Sequence, residues 1–170
     1  RPSGDPFGLC AVPPGEIDIP IEIIGLNLRS VDPITITVSA PAPIVGWGNN
    51  GYGQLGIGGT VGNPTQPSWV TNNVAAVAAG AVHSLFVKTD GTLWAMGYNG
   101  DGELGNGTYT SPQTLPIHVT NNVVAIAAGQ SHSLFMKADG TLWAMGYNAS
   151  GQLGNGTTAK TNLPTQVTNN

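Results

Sequence analysis

"VAAGAVHSLFVKTDGTLWAMGYNGDGELGNGT" runs from Val77 to Thr108, and "IAAGQSHSLFMKADGTLWAMGYNASGQLGNGT" from Ile126 to Thr157. The copies lie 49 residues apart, measured from His83 to His132 or from Gly97 to Gly146. A third, partial copy lies upstream. "GWGNNGYGQLGIG" (46–58) aligns with "AMGYNGDGELGNG" (95–107), and Gly48, Leu55 and Gly56 fall on Gly97, Leu104 and Gly105. The triplet Thr-Asn-Asn closes each copy, at Thr71, Thr120 and Thr168. Self-similarity at this period is the mark of a repeat architecture in which each unit buries its faces against its neighbours.

Within a copy the pattern is one of short strands. Residues 74–79 form a small apolar run suited to a strand buried on both faces. Residues 84–88 and 92–97 flank Asp90-Gly91, which predicts a tight two-residue hairpin, and Asp139-Gly140 repeats it. Residues 98–107, rich in Gly and Asn, form a loop, and Ile117 and Val119 mark a fourth strand. No window has helical periodicity. Four short strands per repeat predict one propeller blade. Leu85, Trp94 and Met96 are expected to pack against the next copy. The fold class is therefore all-β: about two and a half four-stranded antiparallel blades in an incomplete ring, preceded by an N-terminal β segment.

The division is 1–43 for that segment and 44–170 for the array, itself parsed as 44–73 (partial), 74–122 and 123–170. In "EIDIPIEII", Ile17, Ile19, Ile21 and Ile23 share one face of a strand, with Pro20 on the other arguing for an edge position. Residues 34–40 are a second strand, Pro41-Ala42-Pro43 a stiff linker, and 1–15 extended coil. Two strands with one apolar face are not stable alone. The isoleucine strand is thus a candidate assembly strand, able to pair with a neighbouring chain or dock on the array.

Composition excludes several function classes. Charged residues are 8% of the chain, against roughly 25% in a typical soluble protein. Five Lys plus Arg within a net charge of −4 leave no cationic cluster to displace counterions from nucleic acid. No apolar run approaches the ~18 residues that span a bilayer. Cys10 is the single cysteine and has no internal disulfide partner.

The repeated residues resemble the regulator-of-chromosome-condensation repeat. In "VAAGAVHSLFV" and "IAAGQSHSLFM" the pattern is apolar, two small, Gly, two variable, His, small, apolar, any, apolar; "DGTLWAMGYNGDGELGNG" is similar to that repeat's second half. The shared positions are Gly80, His83, Asp90, Gly91, Gly97 and Gly105, answered by Gly129, His132, Asp139, Gly140, Gly146 and Gly154. The resemblance implies a closed propeller of about seven blades, so two and a half copies suggest part of a longer protein, several chains sharing a ring, or copies that stack without closing, of which the first is the expectation. Met96 and Met145 stand where the repeat usually has an aromatic, which Trp47 keeps.

No residue set predicts catalysis, a metal or a cofactor. His83 and His132, at equivalent positions a blade apart, are expected to bond a neighbouring loop and fix blade to blade. Asp101 and Glu103 become Ser150 and Gln152 in the next copy, so "NGDGELG" is a surface turn, not a calcium loop. Ser84 and Ser133 adjoin the histidines but face the other side of the sheet. Binding is expected in the variable loops, at Tyr98, Asn99, Asp101, Tyr109 and Gln113, and at 159–162. The expected function is a non-catalytic interaction or structural scaffold of an exported, surface-displayed bacterial protein that binds a protein partner or itself. The alternatives are a fibre or ring subunit joined through the isoleucine strand, and, as the resemblance implies, a guanine-nucleotide exchange factor for a small GTPase.

Overall fold

Within the described residues, the chain's short apolar runs become strands. The computed structural model describes residues 7–11 and 42–167, among which there is no helix. The strands are β1 (Phe7–Ala11), β2 (Ala42–Gly48), β3 (Ser68–Ala79), β4 (His83–Lys88), β5 (Leu93–Gly97), β6 (Gln113–Thr120), β7 (Val123–Ala128), β8 (His132–Lys137), β9 (Leu142–Gly146) and β10 (Thr161–Gln166). They form one sheet of order β1-β2-β3-β4-β5-β6 and another of order β10-β9-β8-β7, with every pairing antiparallel.

The six-stranded sheet is two blades joined through β3. Residues 68–71 of β3 pair with β2, and residues 74–79 pair with β4. Between them Asn73 takes φ 61°, and Asn122 takes φ 63° between β6 and β7. Asn is among the few residues that adopt this conformation readily. The Asn73 carbonyl accepts the Thr89 N–H, and the Asn122 carbonyl the Ala138 N–H. The Thr-Asn-Asn triplet is thus the pivot from one blade to the next. The first blade is β1, β2 and 68–71; the second is 74–79, β4, β5 and β6; the third is β7 to β10.

Each hairpin is built identically in the second and third blades. Gly91 at φ 79° closes a three-residue turn, one longer than expected, with its N–H bonded to the Lys88 carbonyl. Asp90 accepts from the Thr92 amide and hydroxyl, which hold its carboxyl below the usual range. The Thr92 hydroxyl accepts from the Trp94 indole, and the Lys88 ammonium lies 4.7 Å over that ring. Asp139, Thr141, Trp143 and Lys137 repeat the arrangement, with 4.6 Å for the last contact.

The core lies between blades. Leu85, Val87, Leu93 and Ala95 of the second blade meet Val123, Phe135 and Met145 of the third. Ile44 and Val70 of the first blade meet Val74, Phe86 and Met96 of the second, with Trp94 partly buried against them. Each blade therefore has a forward face, toward the next repeat, and a backward face. Leu85 packs forward as expected, but Trp94 and Met96 pack backward. They flank Ala95 on β5, and neighbouring strand residues point to opposite faces.

Three further expectations are corrected. Residues 74–79 are not buried on both faces: only Val74 is fully enclosed, and Ala75 and Ala79 are exposed. Beyond Val74, this part of β3 pairs with β4 alone and forms the edge of its blade. Residues 7–11, expected as coil, form β1. The linker's Ala42 and Pro43 already belong to β2. Ile17, Ile19, Ile21 and Ile23, and the strand expected over 34–40, lie outside the described residues.

Candidate functional site

The two histidines show what the repeat signature does. His83 is fully buried, and its Nε2 lies 2.9 Å from the Ser133 hydroxyl of the next blade. Ser133 donates in turn to the Glu103 carbonyl at 2.8 Å. The hydroxyl proton is thereby committed, so His83 Nε2–H is the donor and Nδ1 carries the lone pair. The result is a relay from the second blade through a third-blade hydroxyl to the loop backbone 98–107. Burial, and secondarily the neighbouring His132, lowers the His83 pKa from 6.5 to about 4. The ring is neutral at physiological pH and serves as a structural clamp.

The signature glycines make room for this clamp. A Cβ at Gly80 would overlap the His83 ring, and one at Gly129 the His132 ring. A Cβ at Gly97 would lie 2.6 Å from the Val82 carbonyl oxygen, and one at Gly146 2.7 Å from that of Ser131. Gly105 sits against the Met145 sulfur, with no space for a side chain. Gly140 and Gly91 serve their hairpin turns, while Gly154 meets only the Val167 side chain at 3.3 Å.

The loops hold the other candidates. Asn99 is buried: its Oδ1 accepts the Leu104 N–H, and its Nδ2 donates to Asn106 Oδ1 and to the Thr108 carbonyl. Asn148 does the same for residues 148–157. Asn99 shapes the loop from within. Glu103 accepts the Asp101 N–H, as Gln54 accepts that of Tyr52 and Gln152 that of Ser150. The position needs an acceptor oxygen, not a charge, and burial pushes the Glu103 carboxyl pKa up.

Tyr98, Asp101 and Tyr109 come together on one rim. Tyr98 packs edge-on against Tyr52 of the first blade, with centroids 5.4 Å apart. A Cβ at Gly100 would overlap the Tyr98 ring. Lys160 of the third blade donates to the Gly100 carbonyl and pairs with Asp101 at 2.9 Å. Its ammonium lies 5.1 Å from the centroid of the half-exposed Tyr109 ring. Gln113 joins the rim through Nε2, which donates to the Thr110 carbonyl. The rim thus spans three blades and presents tyrosines around one exposed ion pair. Sequence reasoning missed Tyr52, because it stands at the repeat position of Asp101. Among the described residues no three His, Cys, Asp or Glu side chains converge as metal ligands.

Comparisons with known proteins fit this geometry. The family described as Regulator of chromosome condensation (RCC1) repeat matches residues 46–87, 90–136 and 139–170, and a second description of the same repeat matches 74–103 and 123–152. No curated protein sequence gives a significant match. Among solved structures, that of Prp20p from Saccharomyces cerevisiae, reported with its binding properties to Gsp1p and histones, is similar with TM-score 0.69 and 26% identity over 75% of this chain and 34% of that one. The structure of Kap60 bound to yeast RCC1 (Prp20) gives 0.67 and 28%, over 75% and 33%. Human WBSCR16 gives 0.63 and 26%, over 76% and 37%. The chain spans about a third of the length of each. With three matched repeats, antiparallel blades and the buried His-to-Ser clamp between them, the chain belongs to the regulator of chromosome condensation (RCC1) repeat family, and its fold is an incomplete β-propeller.

Proposed function

We propose that the chain is a non-catalytic scaffold that binds a protein partner through the tyrosine rim. One observation carries the reading: Tyr52, Tyr98, Asp101, Tyr109 and Lys160, drawn from three blades, form one continuous surface. Tyrosine supplies large contact area at small entropic cost and is enriched where proteins meet. The buried titratable groups, His83 and Glu103, serve the fold through hydrogen bonds to the next blade and within their own loop, not as reagents aimed into a cleft. The low charge and Asn- and Thr-rich loops support an exported, surface-displayed setting of bacterial type.

The test pairs Tyr109→Ala with Lys160→Glu in a pull-down against surface and secreted fractions. Loss of the bound protein with an unchanged melting temperature supports the reading. Equal recovery by wild type and variant overturns it, and a parent protein found only in cytosol overturns the exported setting. A second reading is guanine-nucleotide exchange on a small GTPase. It is favoured by the similarity to Prp20p, reported with its binding to Gsp1p. Acceleration of nucleotide release by this chain decides for it.

A further inference from the structure

The two ends of the array carry opposite halves of one interface. On the forward face of the second blade, Leu85 and Leu93 are fully buried and Val87 is 4% exposed beneath the third blade. The same positions on the third blade are Leu134, Met136 and Leu142. Met136 is 39% and Leu142 40% exposed, with no blade in front of them among the described residues. The loop glycines report the same change. A Cβ at Gly53 would lie 2.8 Å from Thr114 Cα, and one at Gly102 2.6 Å from Asn162 Cα, both on the following blade. At Gly151, their counterpart, nothing among the described residues lies within 4 Å. The Gly58 N–H donates to the Thr114 carbonyl and the Gly107 N–H to that of Asn162. The corresponding Gly156 faces open space.

The receiving half stands at the other end. Gly56 sits against Met96 and Pro116, and Gly105 against Met145 and Pro164. On the first blade the equivalent residues are Trp47 and Pro67, and the equivalent of Thr114 is Thr65. Thr65 and Pro67 are exposed, whereas Thr114, Pro116, Asn162 and Pro164 are partly covered. Trp69, the counterpart of His118, is 64% exposed on the same backward face. β1 fills out this blade in the register of a second strand: Phe7 lies opposite Gly48 as His83 lies opposite Gly97.

We propose that copies of this chain associate head to tail, the forward face of the third blade seating on the first-blade face of a second copy. Leu134, Met136 and Leu142 meet Val45, Trp47 and Trp69, and Gly156 N–H donates to the second copy's Thr65 carbonyl. The contact repeats the geometry already used twice inside the chain. Such a heterologous contact closes into a ring when the rotation permits. The His-to-Ser clamp is not reproduced there, since Gly8 stands at the register position of Ser84 and Ser133. This assembly is independent of the tyrosine rim and is read without any partner protein.

Sedimentation of the full 170-residue chain over a concentration series tests it. Wild type is expected to associate as its concentration rises. Leu142→Asp blocks the head and Trp69→Asp the tail, and each variant alone is expected to stay monomeric. Their equimolar mixture still pairs one intact head with one intact tail, so a dimer returns. Met136→Lys and Thr65→Lys, at exposed positions, provide a second pair, and circular dichroism confirms that each variant keeps its sheets. A wild type that is monomeric throughout overturns the proposal. So does association that survives either variant, or a mixture of folded variants that stays monomeric.

Discussion

The second and third blades carry nearly the same residues, yet Leu93 is fully buried while its counterpart Leu142 is 40% exposed. His83 and His132 part in the same way: the first is sealed under the next blade, the second partly open. The difference teaches that a residue's environment here is set by the blade in front of it, not by its own repeat. One four-stranded sheet has two apolar faces and covers neither by itself.

Substitutions at matched positions can break that comparison. The largest expected effect is at the leucines. At concentrations where the chain is monomeric, Leu93→Ala should cost about 3 kcal/mol and Leu142→Ala under about 1, because only the first leaves an enclosed cavity within one chain. Equal losses in denaturant melts would mean the third blade is covered in solution.

Acid is expected to have nearly as large an effect through His83. The unfolded chain takes a proton on this ring near pH 6.5, the folded chain only near pH 4, so acid favours unfolding. The contribution is full above pH 6.5 and falls by about 3 kcal/mol as the pH drops to 4. His83→Gln should flatten that slope in melts across the window, while His132→Gln should leave most of it.

Ser133→Ala should cost about 2 kcal/mol by stranding the buried His83 donor. Its counterpart Ser84 is buried with no hydrogen-bond partner among the described residues, so Ser84→Ala should leave stability unchanged or raise it. A loss at Ser84 matching that at Ser133 would break the distinction. The smallest effect is expected at Glu103. Its carboxyl pKa is raised by burial, so the folded state loses ground as pH rises through the ordinary Glu range. Glu103→Gln, which restores the residue type of Gln54 and Gln152, should raise the thermal midpoint slightly at neutral pH and not in acid.

Much of the fold was legible because repetition is visible without coordinates. The period, the Asp-Gly hairpins and the histidine positions led directly to blades. The direction of packing was not. Alternation shows that Trp94 and Ala95 face opposite ways, but not which neighbour lies on which side. β1 was hidden for another reason: Phe7–Ala11 pairs in the register of β4 through its backbone, and apart from Leu9 its residues do not match "HSLFV". The variable loops were legible as surface, whereas Asn99 reads as exposed until its amide is seen bonded inside its own loop. Tyr52 was missed because its role depends on a ring from another repeat, which no single copy reveals.

The pivot at Asn73 has a mechanical consequence. The first two matched sequence repeats, 46–87 and 90–136, begin near the third strand of one blade and end near the second strand of the next, so each straddles a boundary. β3 crosses that boundary as one unbroken strand. A load pulling the first two blades apart is therefore carried by covalent backbone along residues 68–79, and the leucine and phenylalanine contacts beside it need only resist shear.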